Sequence, residues 1–185
     1  MDDLHPTGAL RAVDRGAHAL VARTCANPSV DRLMYLLSGL GDDGRIWIGA
    51  AAFEALRRDR PGARFLHSVA WLGIESAVVN LGMKRLVRRP RPAGGREHTH
   101  ELRRPTDTSF PSGHAASAAT MAVLLSEGSP LAPAYGLLAV GIGVSRVHVG
   151  VHHGSDVAAG WAVGVLFGLL ARRTGAELFR PTSPG

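Results

Sequence analysis

Apolar residues recur at helical spacing in seven segments, which are separated by turns rich in polar residues, proline or glycine. The predicted helices cover residues 9–25, 28–40, 46–56, 65–83, 115–125, 131–144 and 157–171. Alternation of apolar and polar residues with the two-residue period of a strand does not compete with this pattern. The chain is therefore predicted to be all-α.

The predicted helices differ in how each would meet a membrane. Segment 65–83 approaches the length of about 20 residues that crosses a hydrocarbon core, and Glu75 and Asn80 within it are expected to face the bundle interior. Segment 9–25 carries arginine and aspartate, which predicts an amphipathic helix, and the first residues contain no apolar signal-peptide core. We expect an integral-membrane helical bundle with about five membrane helices after the N-terminal amphipathic ones.

One domain fits the length of 185 residues. We divide it into amphipathic N-terminal helices (1–44), a membrane helical core (45–172) and a polar tail (173–185). Within the core, Gly160, Gly164 and Gly168 recur every four residues, which predicts a face that another helix approaches closely in lipid.

Composition narrows the range of partners. The net charge is +6 and the sequence pI is about 10.9, as suits a protein that meets phosphates or anionic lipid headgroups. The arginines lie between apolar segments and no nucleic-acid motif occurs, so we expect no nucleic-acid partner. Cys25 is the single cysteine, which excludes an internal disulfide and a cysteine-rich zinc site. We expect it to be a small buried or interfacial residue.

Polar residues that suggest chemistry concentrate in Ser145–Asp156, between two apolar helices. Arg146 and His152 precede the carboxylate of Asp156. If a helix begins near His152, Asp156 lies one turn later on the same face and prepares the imidazole as a base or nucleophile. The alternative is a polar helix start with Ser155 or Asp156 as the N-cap. This segment alone does not decide between them.

Two further segments change that balance. Pro111-Ser112-Gly113-His114 precedes a helix of small residues, so that backbone N–H groups and the helix dipole would favour an anion there. The alternative is an ordinary capped helix with an incidental histidine. Lys84 and Arg91-Pro92 lie in a basic loop, for which the alternative is simple solvation.

Together the three segments resemble the type 2 phosphatidic acid phosphatase family, whose pattern is K-x6-RP, then PSGH, then SR-x5-H-x3-D. Every fixed position of that pattern is present in identity, spacing and order, from Lys84 to Asp156. The flanking helices extend the likeness over most of the chain. The resemblance implies a membrane helical bundle whose central helices bring the three motifs together.

The resemblance also implies a two-step phosphoryl transfer through a phosphohistidine. His152 would attack phosphorus, Asp156 would orient it, and His114 would protonate the leaving oxygen and then activate water. The implied phosphate ligands are Lys84, Arg91, Ser112, Gly113 and Arg146. Because three cations neutralise the phosphate oxygens and no carboxylate cluster is evident, we expect no metal or other cofactor. His98 and His100 form an H-x-H pair, for which we expect substrate contact or solvation.

Two other functions remain open at this point. Vanadium haloperoxidases share the motif set but are larger soluble proteins, and an inactive membrane protein would have no need of intact motifs. For a phosphatase, the substrate would be a lipid phosphate in the bilayer. The candidates are phosphatidic acid, phosphatidylglycerol phosphate, polyprenyl diphosphate and a polyprenyl-linked sugar phosphate such as decaprenylphosphoryl-phosphoribose. We expect a bacterial inner-membrane protein with the site towards the cytoplasm, and leave its oligomeric state, a homodimer included, open.

Overall fold

The computed structural model describes residues 8–24, 27–92 and 108–179. These residues form helices and contain no strand, which confirms the all-α prediction. The helices are α1 (Gly8–Thr24), α2 (Pro28–Leu40), α3 (Arg45–Leu56), α4 (Pro61–Ala77), α5 (Lys84–Leu86), α6 (Gly113–Leu125), α7 (Ala132–His148) and α8 (Gly154–Leu178). A 3₁₀ turn at Asp42–Gly44 leads into α3, and a π-helical segment at Val78–Met83 joins α4 to α5.

Helix α6 is the centre of the bundle and packs against α3, α4, α7 and α8. Its small side chains, such as Ala115 and Ala118, are fully buried, so neighbouring helices approach closely. The main core forms where Met121 of α6 meets Trp47 of α3 and Ile142 of α7. The central helix therefore fixes the position of its own N-terminus, where the PSGH motif lies.

The regular glycines of α8 form its contact with α6, as predicted. A Cβ atom added at Gly160 would lie 2.5 Å from the Ser112 carbonyl oxygen, and one at Gly164 would overlap the Ala116 carbonyl oxygen. Thr120 donates a hydrogen bond across the contact to the Gly164 carbonyl at 3.1 Å. Backbone packs directly on backbone along this contact.

Large apolar side chains cover the outside of the bundle along α4, α7 and α8. The exposed ones there include Leu66, Ile74, Leu137, Val140, Leu166 and Leu169. Many exposed large apolar side chains on neighbouring helices are typical of a surface that faces lipid. Within the described residues, α8 is the one helix that is both long and apolar enough to cross a membrane, and α6 is a shorter apolar helix.

The structure changes several predicted details. Helix α7 continues to His148, and α8 begins at Gly154 and continues to Leu178, beyond the predicted end at residue 171. Glu75 is buried and accepts a hydrogen bond from Ser117, as expected, but Asn80 is exposed. Asn80 lies in the π-helical segment, whose wider turn shifts the residues after Ala77 relative to the face of α4. Cys25 lies outside the described residues.

Candidate active site

The His152 imidazole lies in the short loop between α7 and α8 and is 2% exposed. Its Nδ1 lies 2.8 Å from the Ser109 carbonyl oxygen, which can only accept, so Nδ1 carries the proton and Nε2 keeps its lone pair. Burial lowers the pKa of His152 to about 4, and the positive charges of Arg146 and Arg91 act in the same direction. The imidazole is therefore neutral at pH 7, the state that a nucleophilic Nε2 requires.

Arg91 lies beside that nitrogen. Its Nη1 is 3.4 Å from His152 Nε2 and donates to the Val151 carbonyl at 2.7 Å, while its Nη2 donates to the Thr108 carbonyl at 3.3 Å. Two backbone carbonyls thus fix the guanidinium next to the imidazole. A phosphoryl group at His152 would meet this positive charge.

Arg146 lies in the last turn of α7 and is 1% exposed. It donates a hydrogen bond to Ser38 of α2, but its Nε and Nη2 have no hydrogen-bond partner among the described residues. Its backbone carbonyl accepts from the His152 N–H at 3.2 Å. A buried guanidinium with open N–H donors costs free energy unless an anion occupies them, so it is placed to bind an oxyanion.

Asp156 is fully buried and already has hydrogen-bond donors for both of its oxygens. Oδ1 accepts from Arg89 at 2.6 Å, Oδ2 accepts from the His153 N–H at 2.8 Å, and Oδ2 lies 3.8 Å from His152 Nδ1. The N-cap of α8 is His153, and Asp156 completes its capping box. The alternative prediction, with Ser155 or Asp156 as the N-cap, is therefore wrong. Because α8 begins after His152, the two side chains do not share a helix face, and Ser109 sets the tautomer.

Arg89 and Asp14 were not singled out from the sequence. Arg89 donates to Asp156, to the Ser155 hydroxyl at 2.7 Å and to Asp14, whose other oxygen accepts from the Ser155 N–H at 2.9 Å. A buried ion-pair network therefore ties α1 to the start of α8. Arg89 lies inside the basic first motif, and that position could have indicated a role at the site. Nothing in the sequence near Asp14 indicates that it pairs with Arg89.

The PSGH motif forms the start of α6. Ser112 is the buried N-cap, so Pro111 precedes the helix instead of lying in its first turn, and the Ser112 N–H donates to the Asp156 carbonyl at 3.0 Å. Gly113 lies close to the Asn80 side chain: an added Cβ would lie 3.1 Å from Asn80 Oδ1, a tight contact that a small shift of that side chain would relieve. His114 follows, with its Nε2 2.8 Å from Asp42 Oδ1. Asp42 was predicted only as part of a turn.

Lys84 begins α5, directly after the π-helical segment. Its carbonyl accepts from the Thr108 hydroxyl at 3.2 Å, which joins the first motif to the chain that enters the second. The positive charges of Arg146 and Lys84 both act on His114. The three predicted segments therefore meet at one end of the bundle.

No group of three or more His, Cys, Asp or Glu side chains in the described ranges is arranged to hold a metal ion. His98 and His100 lie outside those ranges. The two extra histidines of the third motif have local contacts: His148 Nε2 lies 2.7 Å from Asp31 Oδ1, and His153 caps α8.

Comparison with known proteins points in the same direction as the geometry. Residues 64–180 match the model of the PAP2 superfamily. The decaprenylphosphoryl-5-phosphoribose phosphatase of Mycolicibacterium smegmatis is 35% identical over 152 residues, covering 81% of this chain and 82% of the relative. The lipid A 1-phosphatase of Rhizobium etli is 32% identical over 172 residues, covering 77% and 70% respectively.

A solved structure has the same arrangement of helices. It is the transmembrane PAP2-type phosphatidylglycerolphosphate phosphatase of Bacillus subtilis, with a TM-score of 0.76 over 96% of this chain and 92% of that one. The sequences are 23% identical, so this likeness bears on the fold alone. The fold is that of a membrane-embedded bundle.

Proposed function

Because this chain belongs to the PAP2 superfamily and is a membrane lipid phosphatase of that family, we propose that it removes the terminal phosphate of a polyprenyl-linked sugar phosphate, with His152 as its nucleophile. One observation supports the chemistry above the others. The neutral His152 presents Nε2 beside Arg91. Its backbone N–H donates to the carbonyl of Arg146, whose buried Nε and Nη2 have no hydrogen-bond partner among the described residues.

In the first step, His152 Nε2 forms a bond to phosphorus as the bond from phosphorus to the lipid oxygen breaks. His114 gives its proton to that leaving oxygen. As Nε2 is phosphorylated, the ring becomes positive, and the Ser109 carbonyl and the Asp156 carboxylate stabilise that charge from the Nδ1 side. Asp156 acts over 3.8 Å, through its charge, and also holds the backbone at His153.

In the second step, water attacks phosphorus, the bond from nitrogen to phosphorus breaks, and inorganic phosphate leaves. His114, now neutral, accepts the proton of the water, which restores both histidines to their starting states. Lys84, Arg91 and Arg146 neutralise the charge that spreads over the phosphoryl oxygens in both steps, and Ser112 and the Gly113 amide add hydrogen bonds.

The substrate class rests on sequence similarity. The mycobacterial relative named for decaprenylphosphoryl-5-phosphoribose is 35% identical over about four-fifths of both chains, which supports a similar substrate. The exposed apolar side chains of α4 and α8 support a site beside lipid, where a polyprenyl chain would lie. We place the protein in the bacterial inner membrane on the same grounds.

The test is phosphate release by the purified protein in detergent, with decaprenylphosphoryl-5-phosphoribose, undecaprenyl diphosphate, phosphatidic acid and phosphatidylglycerol phosphate as substrates. We expect the highest kcat/KM for the polyprenyl sugar phosphate and no release by His152→Ala protein. His67→Ala, at the other end of the bundle against Thr174, is the matched control and should stay active. A preference for phosphatidic acid would contradict the substrate, and full activity of His152→Ala protein would contradict the mechanism.

The haloperoxidase alternative predicts a different response to vanadate. If three fixed cations neutralise the phosphate, EDTA leaves phosphatase activity intact and vanadate inhibits it competitively, because vanadate occupies the phosphate position. Vanadate-dependent oxidation of bromide would support the oxidoreductase function instead. A strict requirement for added magnesium would show that charge neutralisation by arginine and lysine is insufficient.

A further inference from the structure

The turn between α2 and α3 lies directly against the His114 ring. A Cβ atom added at Gly41 would lie 2.9 Å from His114 Cδ2, so only glycine lets the turn come this close. Asp43 and Gly44 both have positive φ angles, 55° and 66°. Such a conformation is uncommon for a residue with a side chain. This tight turn holds Asp42 at the edge of the imidazole.

Asp42 contacts one particular nitrogen. Its Oδ1 lies 2.8 Å from His114 Nε2, and an ionised carboxylate can only accept, so Nε2 carries a proton. Nδ1 is then the nitrogen that can exchange a proton with the reacting groups. The contact therefore selects which ring nitrogen takes part in acid–base chemistry, as orienting carboxylates do for other catalytic histidines.

The Asp42 carboxylate counteracts the positive charges that surround His114. Arg146 from α7 and Lys84 from α5 are both positive and act on the ring, while Asp42 is the negative charge hydrogen-bonded to it. Burial, and after it the two cations, disfavour the protonated imidazole that an acid must be in the first step, and the pKa of His114 lies below its ordinary value. Asp42 opposes these effects through its direct contact with the ring, in which the His114 side chain is 21% exposed and the Asp42 side chain 37% exposed.

The alternative is an ordinary ion pair at a helix start. Exposed pairs contribute about 0–1 kcal/mol to stability and need no catalytic meaning. Here the carboxylate comes from residue 42, before the segment that matches the family model, and meets a fixed position of that family's motif. Ser38 of α2, which bonds Arg146, comes from the same N-terminal region.

We propose that Asp42 is a positioning residue for His114: it keeps the Nε2 proton in place and stabilises the imidazolium, so that proton exchange with the leaving oxygen and then with water occurs at Nδ1. This rests on the acid–base role given to His114 above. The N-terminal helices are then part of the catalytic apparatus, because α2 and its following turn supply this carboxylate.

Two measurements on Asp42→Asn protein and one on Asp42→Glu protein test the proposal. We expect kcat on the lipid substrate to fall about 10- to 100-fold with KM changed less than about threefold, since acid–base catalysis contributes about 10²- to 10⁴-fold in total. The alkaline limb of the kcat profile should move to lower pH, because the protonated imidazole has lost its counter-charge. Asp42→Glu should restore part of kcat.

Leaving-group dependence separates positioning from a structural role. A p-nitrophenyl phosphate leaving group needs little protonation, so the Asp42→Asn defect in kcat/KM, which reports on the first step alone, should be much smaller on that substrate, as for His114→Ala. The double variant Asp42→Asn/His114→Ala should be no slower than His114→Ala alone. Asp43→Asn, in the same turn but paired with Arg45, is the control and should keep wild-type kcat.

The outcomes distinguish this proposal from the function on which it rests. Wild-type kcat and pH profile in Asp42→Asn protein, with His114→Ala protein impaired, would overturn the positioning role and leave the phosphatase mechanism standing. An equal loss of kcat/KM on both substrates would also overturn it. If neither His114→Ala nor His152→Ala lowered phosphate release, the proposed mechanism itself would fail.

Discussion

At the scale of single residues, the partner of His152 is a carbonyl group. Ser109 accepts from Nδ1 at 2.8 Å, whereas Asp156 lies 3.8 Å away and is engaged by Arg89 and the His153 N–H. Without Asp156, the Ser109 carbonyl would still keep the His152 proton on Nδ1. The negative charge that stabilises the positive, phosphorylated ring would be lost. Substitutions of His152 and of Asp156 should therefore lower the activity by different amounts.

His152→Ala should abolish turnover, while Asp156→Asn should leave a small residual activity. The first change removes the nucleophile. The second removes the negative charge near it and leaves one acceptor oxygen for the two donors that Asp156 now binds, Arg89 and the His153 N–H. Single-turnover assays with labelled lipid phosphate measure both. Asp156→Asn protein as inactive as His152→Ala protein would show that the carboxylate is indispensable to the covalent route.

The buried imidazole also makes stability depend on pH. The pKa of His152 is about 4 in the folded protein because of burial, compared with an ordinary value of 6.5, so the unfolded chain binds the proton first. Stability is therefore lost as pH falls from about 6.5 to 4, by about 3 kcal/mol from this group. Thermal midpoints in detergent should fall less across that range for His152→Gln protein. An identical fall of the thermal midpoint in the wild-type and His152→Gln proteins would show that a group other than His152 causes the loss of stability.

At the scale of elements, the contact of α6 with α8 aligns two halves of the site. Ser112 caps α6 and Asp156 lies in the first turn of α8, and the glycine face of α8 sets their spacing. The Ser112 N–H bonds the Asp156 carbonyl across this contact. The contact that packs α8 on α6 therefore also sets the geometry of the site at this point.

Gly164→Ala should destabilise the protein by about 1–3 kcal/mol and lower kcat, because the added methyl overlaps the Ala116 carbonyl and pushes α8 from α6. Gly136→Ala in α7 is the control: an added Cβ meets nothing within 4 Å there, and alanine favours a helix by about 1 kcal/mol. Thermal midpoints in detergent compare the two. Equal midpoints would mean that α8 tolerates the methyl group by shifting without cost.

At the scale of the whole molecule, all three motifs lie at one end of the bundle, together with the turn at Asp42–Gly44 and the N-terminal part of α8. The opposite end carries the turn between α3 and α4. Arginines are more numerous at the catalytic end and in the N-terminal helices, and the positive-inside tendency then favours a cytoplasmic site.

Labelling of single cysteines in intact cells checks this orientation. Asp43 and Asp59 flank the two ends of α3 and are both exposed, so Asp43→Cys and Asp59→Cys, each with Cys25→Ser, report on the catalytic end and on the opposite end of the bundle. A membrane-impermeant maleimide should label the cysteine at position 59 in intact cells and the one at 43 only after permeabilisation. The reverse pattern would put the site outside and leave the chemistry unchanged.

The sequence alone determined the helical class, the approximate helix limits, the close approach at Gly160, Gly164 and Gly168, and the family motifs. These features are local, because periodicity, glycine spacing and motif spacing each lie within short stretches of chain. It also predicted that Glu75 would turn inward, which the structure confirms, whereas Asn80 did not because a π-helical segment intervenes.

Only the tertiary structure decided which groups hold the motif residues. Ser109 lies 43 positions from His152, Asp42 lies 72 from His114, and Asp14 lies 75 from Arg89. These partners are ordinary turn or helix residues in sequence, and no spacing rule connects them. Burial selects them, since each buried polar group must find a hydrogen-bond partner in whichever element packing brings beside it.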